Sequence, residues 1–180
     1  MKVIRMFVPV VVLLIVLGLA AQAQNKYVGV KMCSMCHKSD KQGGQFQIWQ
    51  KTKHAEAYKT LATAKVAEIA KAKGIAKPAE AAECLDCHAK SYDATLIEKS
   101  YNVEDGVQCE TCHGPGSAYK NMAVMKDKAK AVAAGLREFK DNAAIEAWCK
   151  TCHNEKSPTF KGFKFDEMWA KIKHPVPKAG

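Results

Sequence analysis

The chain opens with two basic side chains, Lys2 and Arg5, followed by an apolar run from Met6 to Ala21 and then Ala21-Gln22-Ala23. A basic start, a short apolar stretch and a small-x-small end predict a secretory signal peptide over residues 1–23. The run falls short of the ~18–20 residues of a spanning helix, and Pro9 and Gly18 interrupt it; an uncleaved membrane anchor is the alternative. Residues 24–180 then read as a single domain. From about Phe46 to Lys73, Ile48, Trp49, Tyr58, Leu61, Val66 and Ile69 recur at roughly helical spacing. They predict one long amphipathic helix, or two in line, ended near Gly74. Pro78 is placed to open the next helix. Ser91 to Val107 is polar and mixed, which predicts a loop with at most a short strand pair. Gly114-Pro115-Gly116 must turn the chain. Helical composition returns from Ser117 to Trp148, interrupted near Gly135 and Asp141. Ser157 to Gly162 reads as a loop, and a terminal helix from Asp166 to Lys173 stops at Pro175. The predicted class is mainly α with short irregular connections.

The cysteines change this picture. All eight fall in Cys-x-x-Cys-His motifs: Cys33, Cys36 and His37; Cys84, Cys87 and His88; Cys109, Cys112 and His113; Cys149, Cys152 and His153. This spacing is the attachment signal for c-type haem. Two thiols add across the porphyrin vinyl groups, and the adjacent histidine supplies an axial nitrogen to the iron. Zinc sites pair two ligand couples at a characteristic separation and do not require a histidine after every second cysteine. A disulfide framework does not need the histidines, and a thioredoxin-like motif would occur once. The expectation is a small multihaem c-type cytochrome with four covalently attached haems. Export fits this chemistry, because haem is attached on the outer side of the bacterial cytoplasmic membrane. The expected location is the periplasm or the extracellular space.

Without residues 1–23 about 157 residues remain, or roughly 39 per haem. That leaves little room for a side-chain core, so the porphyrins are expected to be the core and the haem-free polypeptide to be largely unfolded. The formal charge of +10 falls to +8 without Lys2 and Arg5. Each ferric haem with two ionised propionates adds about −1, bringing the total to about +4. This balance argues against a nucleic-acid partner. The lysines suit propionate neutralisation and docking to redox proteins, either through an acidic docking surface or to a membrane quinol-linked cytochrome.

The axial ligands can be counted. Of six histidines, four belong to the motifs, leaving His54 and His174. The chain therefore supplies at most two bis-histidine irons. Methionine is the next candidate sixth ligand. Met122 and Met125 lie three residues apart on one helical face, a spacing that core packing also explains. Tyr119 is a weaker oxygen candidate.

The motifs and their flanks resemble the tetrahaem cytochrome c-554 family. The anchors are Cys33 to Lys38, Trp49 to Ala55, Gly106 to Gly116 and Phe163 to Met168 before His174. The resemblance implies a mainly helical fold with haems in closely stacked pairs. It also implies that His54 ligates the third haem, that His174 ligates the fourth, and that the second haem, on Cys84 and Cys87, is five-coordinate. In the family the first haem takes a histidine from the segment after Gly-Pro-Gly. This chain has none between His113 and His153, so Met122 or Met125 are the substitutes, or that iron too is open.

Three functions follow. The leading one is an electron carrier, since four haems in so short a chain lie nearly edge to edge. Nothing else in the sequence suggests a nucleophile, phosphate loop or dehydrogenase fingerprint. The second is an enzyme binding a small diatomic ligand at an open haem, for example a nitric oxide or related nitrogen-oxide reductase. The third is a subunit of an extracellular conductive filament, ranked last because no histidine is spare to lend to a neighbour.

Overall fold

A computed structural model describes residues 24–176. The predicted signal peptide lies outside the described residues. Among the described residues the architecture is helical: α1 (Val30–His37), α2 (Gln45–Gln50), α3 (Ala64–Ala72), α4 (Ala82–His88), α5 (Cys109–His113), α6 (Met122–Met125), α7 (Lys128–Ala133), α8 (Asn142–Cys149) and α9 (Phe165–Ile172). Extended pairing there is limited to one parallel bridge, Tyr27 with Ile97.

Local chemistry accounts for the later helices. Asn121 caps α6 by accepting from Ala123 N at 2.8 Å, Asp127 caps α7 and Asp141 caps α8. Each side-chain oxygen meets an N–H that the first turn leaves unpaired. The breaks predicted near Gly135 and Asp141 fall where one helix ends and the next is capped.

The long helix predicted from Phe46 to Lys73 does not form. α2 ends at Gln50, residues 51–58 are turns, a 3-10 turn covers Lys59–Ala62, and α3 starts at Ala64. Thr52 and Thr60 offer the backbone an alternative, since their hydroxyls donate back to Trp49 O at 2.7 Å and Ala57 O at 2.6 Å. The His54 carbonyl leaves the helical ladder and accepts from Val107 N at 2.9 Å. Pro78 sits in a turn ahead of α4 instead of opening it.

The side-chain core is small. Among the described residues eight apolar ones are buried, four of them alanines: Val28, Val30, Ala55, Leu61, Ala70, Ala89, Tyr119 and Ala131. The largest fully buried side chains are Glu110 and Val28. No helix among the described residues is long and apolar enough to cross a membrane.

Candidate functional site

Three of the Cys-x-x-Cys-His motifs lie within α1, α4 and α5, each helix ending on its histidine; the fourth begins on the last residue of α8 and continues in turns. A helix places both thiols and the histidine along one short stretch of surface. All eight cysteines carry free thiols in this structure. Among the described residues, no three His, Cys, Asp or Glu side chains converge as a bare metal site would require.

Two thiol contacts link different motifs. The Cys33 thiol lies against that of Cys109, joining the first motif to the third. Cys87 lies against Cys152, joining the second to the fourth. Burial pushes the Cys112 thiol up to about 11; burial and the neighbouring Cys152 do the same for Cys87. The first and third motifs are held together by polar side chains that sequence reasoning missed. Glu110, 2% exposed, accepts from Val28 N at 2.9 Å, Gly29 N at 2.7 Å and Gly116 N at 2.6 Å. Gln108 accepts from Val30 N at 2.7 Å. The only signal available was the placing of two polar residues beside and inside a motif whose surroundings are otherwise apolar.

A third missed residue is Arg137. Its guanidinium donates to Thr111 O at 3.0 Å and Cys112 O at 3.2 Å while stacking 3.9 Å from the Trp148 ring centre. Trp148 itself donates to Thr111 O at 3.1 Å, so α8 is held against the end of α5. Tyr92 stacks on Tyr27 with centroids 3.4 Å apart and reaches Thr111 Oγ1 at 3.3 Å. Tyr101 donates to Ala89 O, beside His88, at 3.0 Å.

The histidines form two facing pairs. The His54 and His153 rings are 6.0 Å apart, and the His113 and His174 rings are 5.8 Å apart. Two imidazoles on opposite sides of one metal, each nitrogen about 2 Å from it, have ring centres roughly 6 Å apart. Burial and the neighbouring His153 hold His54 down to about 4. Burial and the neighbouring His174 do the same for His113. All four rings are pushed below their ordinary range, so at neutral pH they are uncharged, with a lone pair available to a metal. His153 and His174 remain exposed on the rest of their surfaces.

This pairing reverses the one implied by the resemblance. His54 faces the fourth motif and His174 the third. His54 is also presented by a turn and not by a helix. Its seat is the segment before the third motif. Trp49 Nε1 donates to Val107 O at 2.7 Å, Val107 N donates to His54 O, and Gly106 adopts φ 75° against that same carbonyl. A Cβ on Gly106 would lie 2.5 Å from His54 O, so only glycine fits.

The other two motif histidines have oriented rings. His88 Nδ1 lies 2.8 Å from Ala57 O and 3.0 Å from Thr60 Oγ1. A carbonyl partner makes Nδ1 the donor and leaves Nε2 as the ligating nitrogen. His37 Nδ1 lies 3.3 Å from Gln45 Oε1. Met122 is 60% exposed and Met125 half-buried. Tyr119 is occupied, donating to Gly114 O at 2.6 Å.

Paired thiols, oriented imidazoles and a sparse side-chain core fit covalently bound haem. A family model described as cytochrome c554 and c-prime matches residues 32–114. Cytochrome c-554 of Nitrosomonas europaea is 29% identical over 187 positions, spanning 87% of this chain and 77% of the relative. No solved structure matches the chain.

Proposed function

Proceeding from a chain that belongs to the cytochrome c-554 family, and so carries covalently bound c-type haem iron for electron transport, we propose an exported tetrahaem carrier that passes electrons from haem to haem between redox partners. The observation that carries this reading is the pair of imidazole spacings, 6.0 Å and 5.8 Å, beside four sets of free thiols.

In this reading each motif holds one haem through its two cysteines and its histidine. Iron supplies the one-electron chemistry, and the protein sets the axial ligands, which tune the potential. His54 completes the fourth-motif site and His174 the third. His37 and His88 have no second histidine left in the chain. Their haems take another ligand, with Met122 and Met125 as the first-motif candidates, or leave one position open. The location is the periplasm or beyond it, after removal of residues 1–23. The partners are redox proteins, and lysines at the surface form the docking face.

Mass spectrometry of the secreted protein, with low-temperature electron paramagnetic resonance of its oxidised form, tests this. Four haems per chain and two bis-histidine low-spin signals are expected. A zinc-loaded or bare polypeptide, or fewer than four haems, overturns it. Reduction of nitric oxide or a related nitrogen oxide at the second motif is the alternative, favoured by the ligand count at His88. Its test is nitric oxide titration of the reduced protein, where an unchanged absorption spectrum excludes it.

A further inference from the structure

Gln45 touches two ligand-bearing segments at once. Its Oε1 lies 3.3 Å from His37 Nδ1, and its Nε2 donates to Pro175 O at 3.0 Å and to Gln42 O. The side chain is buried, at 8% exposure, so its amide is committed on both ends. Pro175 directly follows His174, whose ring faces His113. Gly43 completes the seat: a Cβ there would come within 2.9 Å of Pro175 Cγ. Little else holds this tail. α9 has no buried residue, and Val176 is 86% exposed.

We propose that Gln45 is a positioning residue for axial histidines of two different haems, orienting His37 through Nδ1 and seating the tail that presents His174. This rests on the reading above, in which both histidines ligate iron. An acceptor on Nδ1 fixes the tautomer and raises the basicity of the ligating nitrogen. A donor to the carbonyl one residue past His174 restrains the backbone that carries the ring. Because one planar amide makes both bonds, the first and third motifs share a support that neither could supply alone.

The test uses the haem-loaded protein and four variants, read by electron paramagnetic resonance, visible absorption and midpoint potential. His174→Ala is expected to convert one low-spin haem to high-spin. Gln45→Leu removes both bonds and is expected to raise the population with the same haem high-spin about five-fold, the effect of one lost hydrogen bond. Added imidazole should restore the low-spin spectrum in both. Gln45→Glu keeps an acceptor for His37 but has no donor for Pro175 O. It should give the high-spin species and also lower the potential of the first-motif haem, a shift that a purely structural role would not produce. Gly43→Ala, whose Cβ would meet Pro175 Cγ at 2.9 Å and Gln45 Nε2 at 3.0 Å, should release the tail while the Gln45 side chain is retained, and it serves if the Gln45 variants do not fold. If His174→Ala leaves the spin states unchanged, the ligation reading itself fails. If His174→Ala converts a haem while Gln45→Leu and Gly43→Ala leave it low-spin, the role of Gln45 is refuted.

Discussion

Gly106→Ala is the sharpest test of how His54 is held. Gly106 sits at φ 75°, and forcing a Cβ into that conformation costs roughly 1–2 kcal/mol. The new Cβ would lie 2.5 Å from His54 O and 3.2 Å from Ala55 O, whereas a carbon and a carbonyl oxygen settle at about 3.3 Å or more. The His54 carbonyl must therefore retreat by roughly 0.8 Å, beyond the ~0.5 Å within which a ligand position is productive. The bond from Val107 N to His54 O is strained or lost, worth about 1 kcal/mol more. Together these predict a cost of about 2–3 kcal/mol and, at about 2–4 °C per kcal/mol for a chain of this size, a fall in Tm of about 4–12 °C. The same variant should turn the fourth-motif haem high-spin while the His113–His174 site stays low-spin. Gly74→Ala is the control, because Gly74 has a similar φ of 70° with nothing within 4 Å of its Cβ position. It carries the backbone strain without the clash. If Gly106→Ala loses no more Tm than Gly74→Ala and keeps its low-spin count, the seat assigned to His54 is wrong.

Replacing Cys84 and Cys87 together by serine should lower the haem count from four to three by mass spectrometry; a further loss would show that the motifs do not act independently. Polypeptide made without haem attachment should be largely unfolded by circular dichroism and rapidly proteolysed, given eight buried apolar side chains; a cooperative thermal transition would refute the haem-dominated core. Arg137→Gln removes the donations to Thr111 O and Cys112 O and the stacking on Trp148, and should cost about 2–3 kcal/mol in denaturant unfolding; a cost under about 0.5 kcal/mol would discount the brace. Burial holds the Glu110 carboxyl above its ordinary range against the pull of three backbone N–H donors. A raised folded value means the native chain binds that proton more tightly, so its stabilisation is full below the ordinary carboxylate range and is lost as pH rises through the raised value. Wild type should therefore lose stability relative to Glu110→Gln as pH rises above the ordinary carboxylate range of about 4, and the opposite trend would contradict the assignment.

The parts of this molecule that were legible in the sequence are those whose chemistry demands contiguity. A thioether pair and its histidine must fall within five residues, so all four motifs could be read directly. The breaks near Gly135 and Asp141 were readable because their causes are local, whereas the division at Asp127, where a new helix is capped, was not foreseen. The stretch around His54 was misread as helix. Its periodic apolar residues were real, but the competing hydroxyls of Thr52 and Thr60 and the docking of Val107, about fifty residues downstream, decided the backbone. Gln45 and Glu110 were invisible because an isolated glutamine or glutamate announces nothing until its partners, Pro175 and Val28, are in place. The histidine count shows only that two histidines lie outside the motifs; that His54 lies beside His153 and His174 beside His113 needed the geometry.

That crossed pairing explains why such small seats matter. His54 reaches a motif about 100 residues further on, and His174 reaches back about 60 residues. In the chain-entropy picture, closing loops of this length removes about 4–5 kcal/mol of freedom each from the unfolded chain. On the proposed ligation, two axial bonds that cross in sequence would tie the third and fourth motifs into one cooperative unit, which short helices with few buried side chains could not do. The local contacts at Gly106 and Gln45 do not supply that energy. On the proposed ligation they would hold each imidazole within the ~0.5 Å that a ligand position tolerates, so that the long-range closure is made at the right ring. Damage to a seat should therefore register first in the spin state of a single haem, whereas loss of the third or fourth motif would remove a closure.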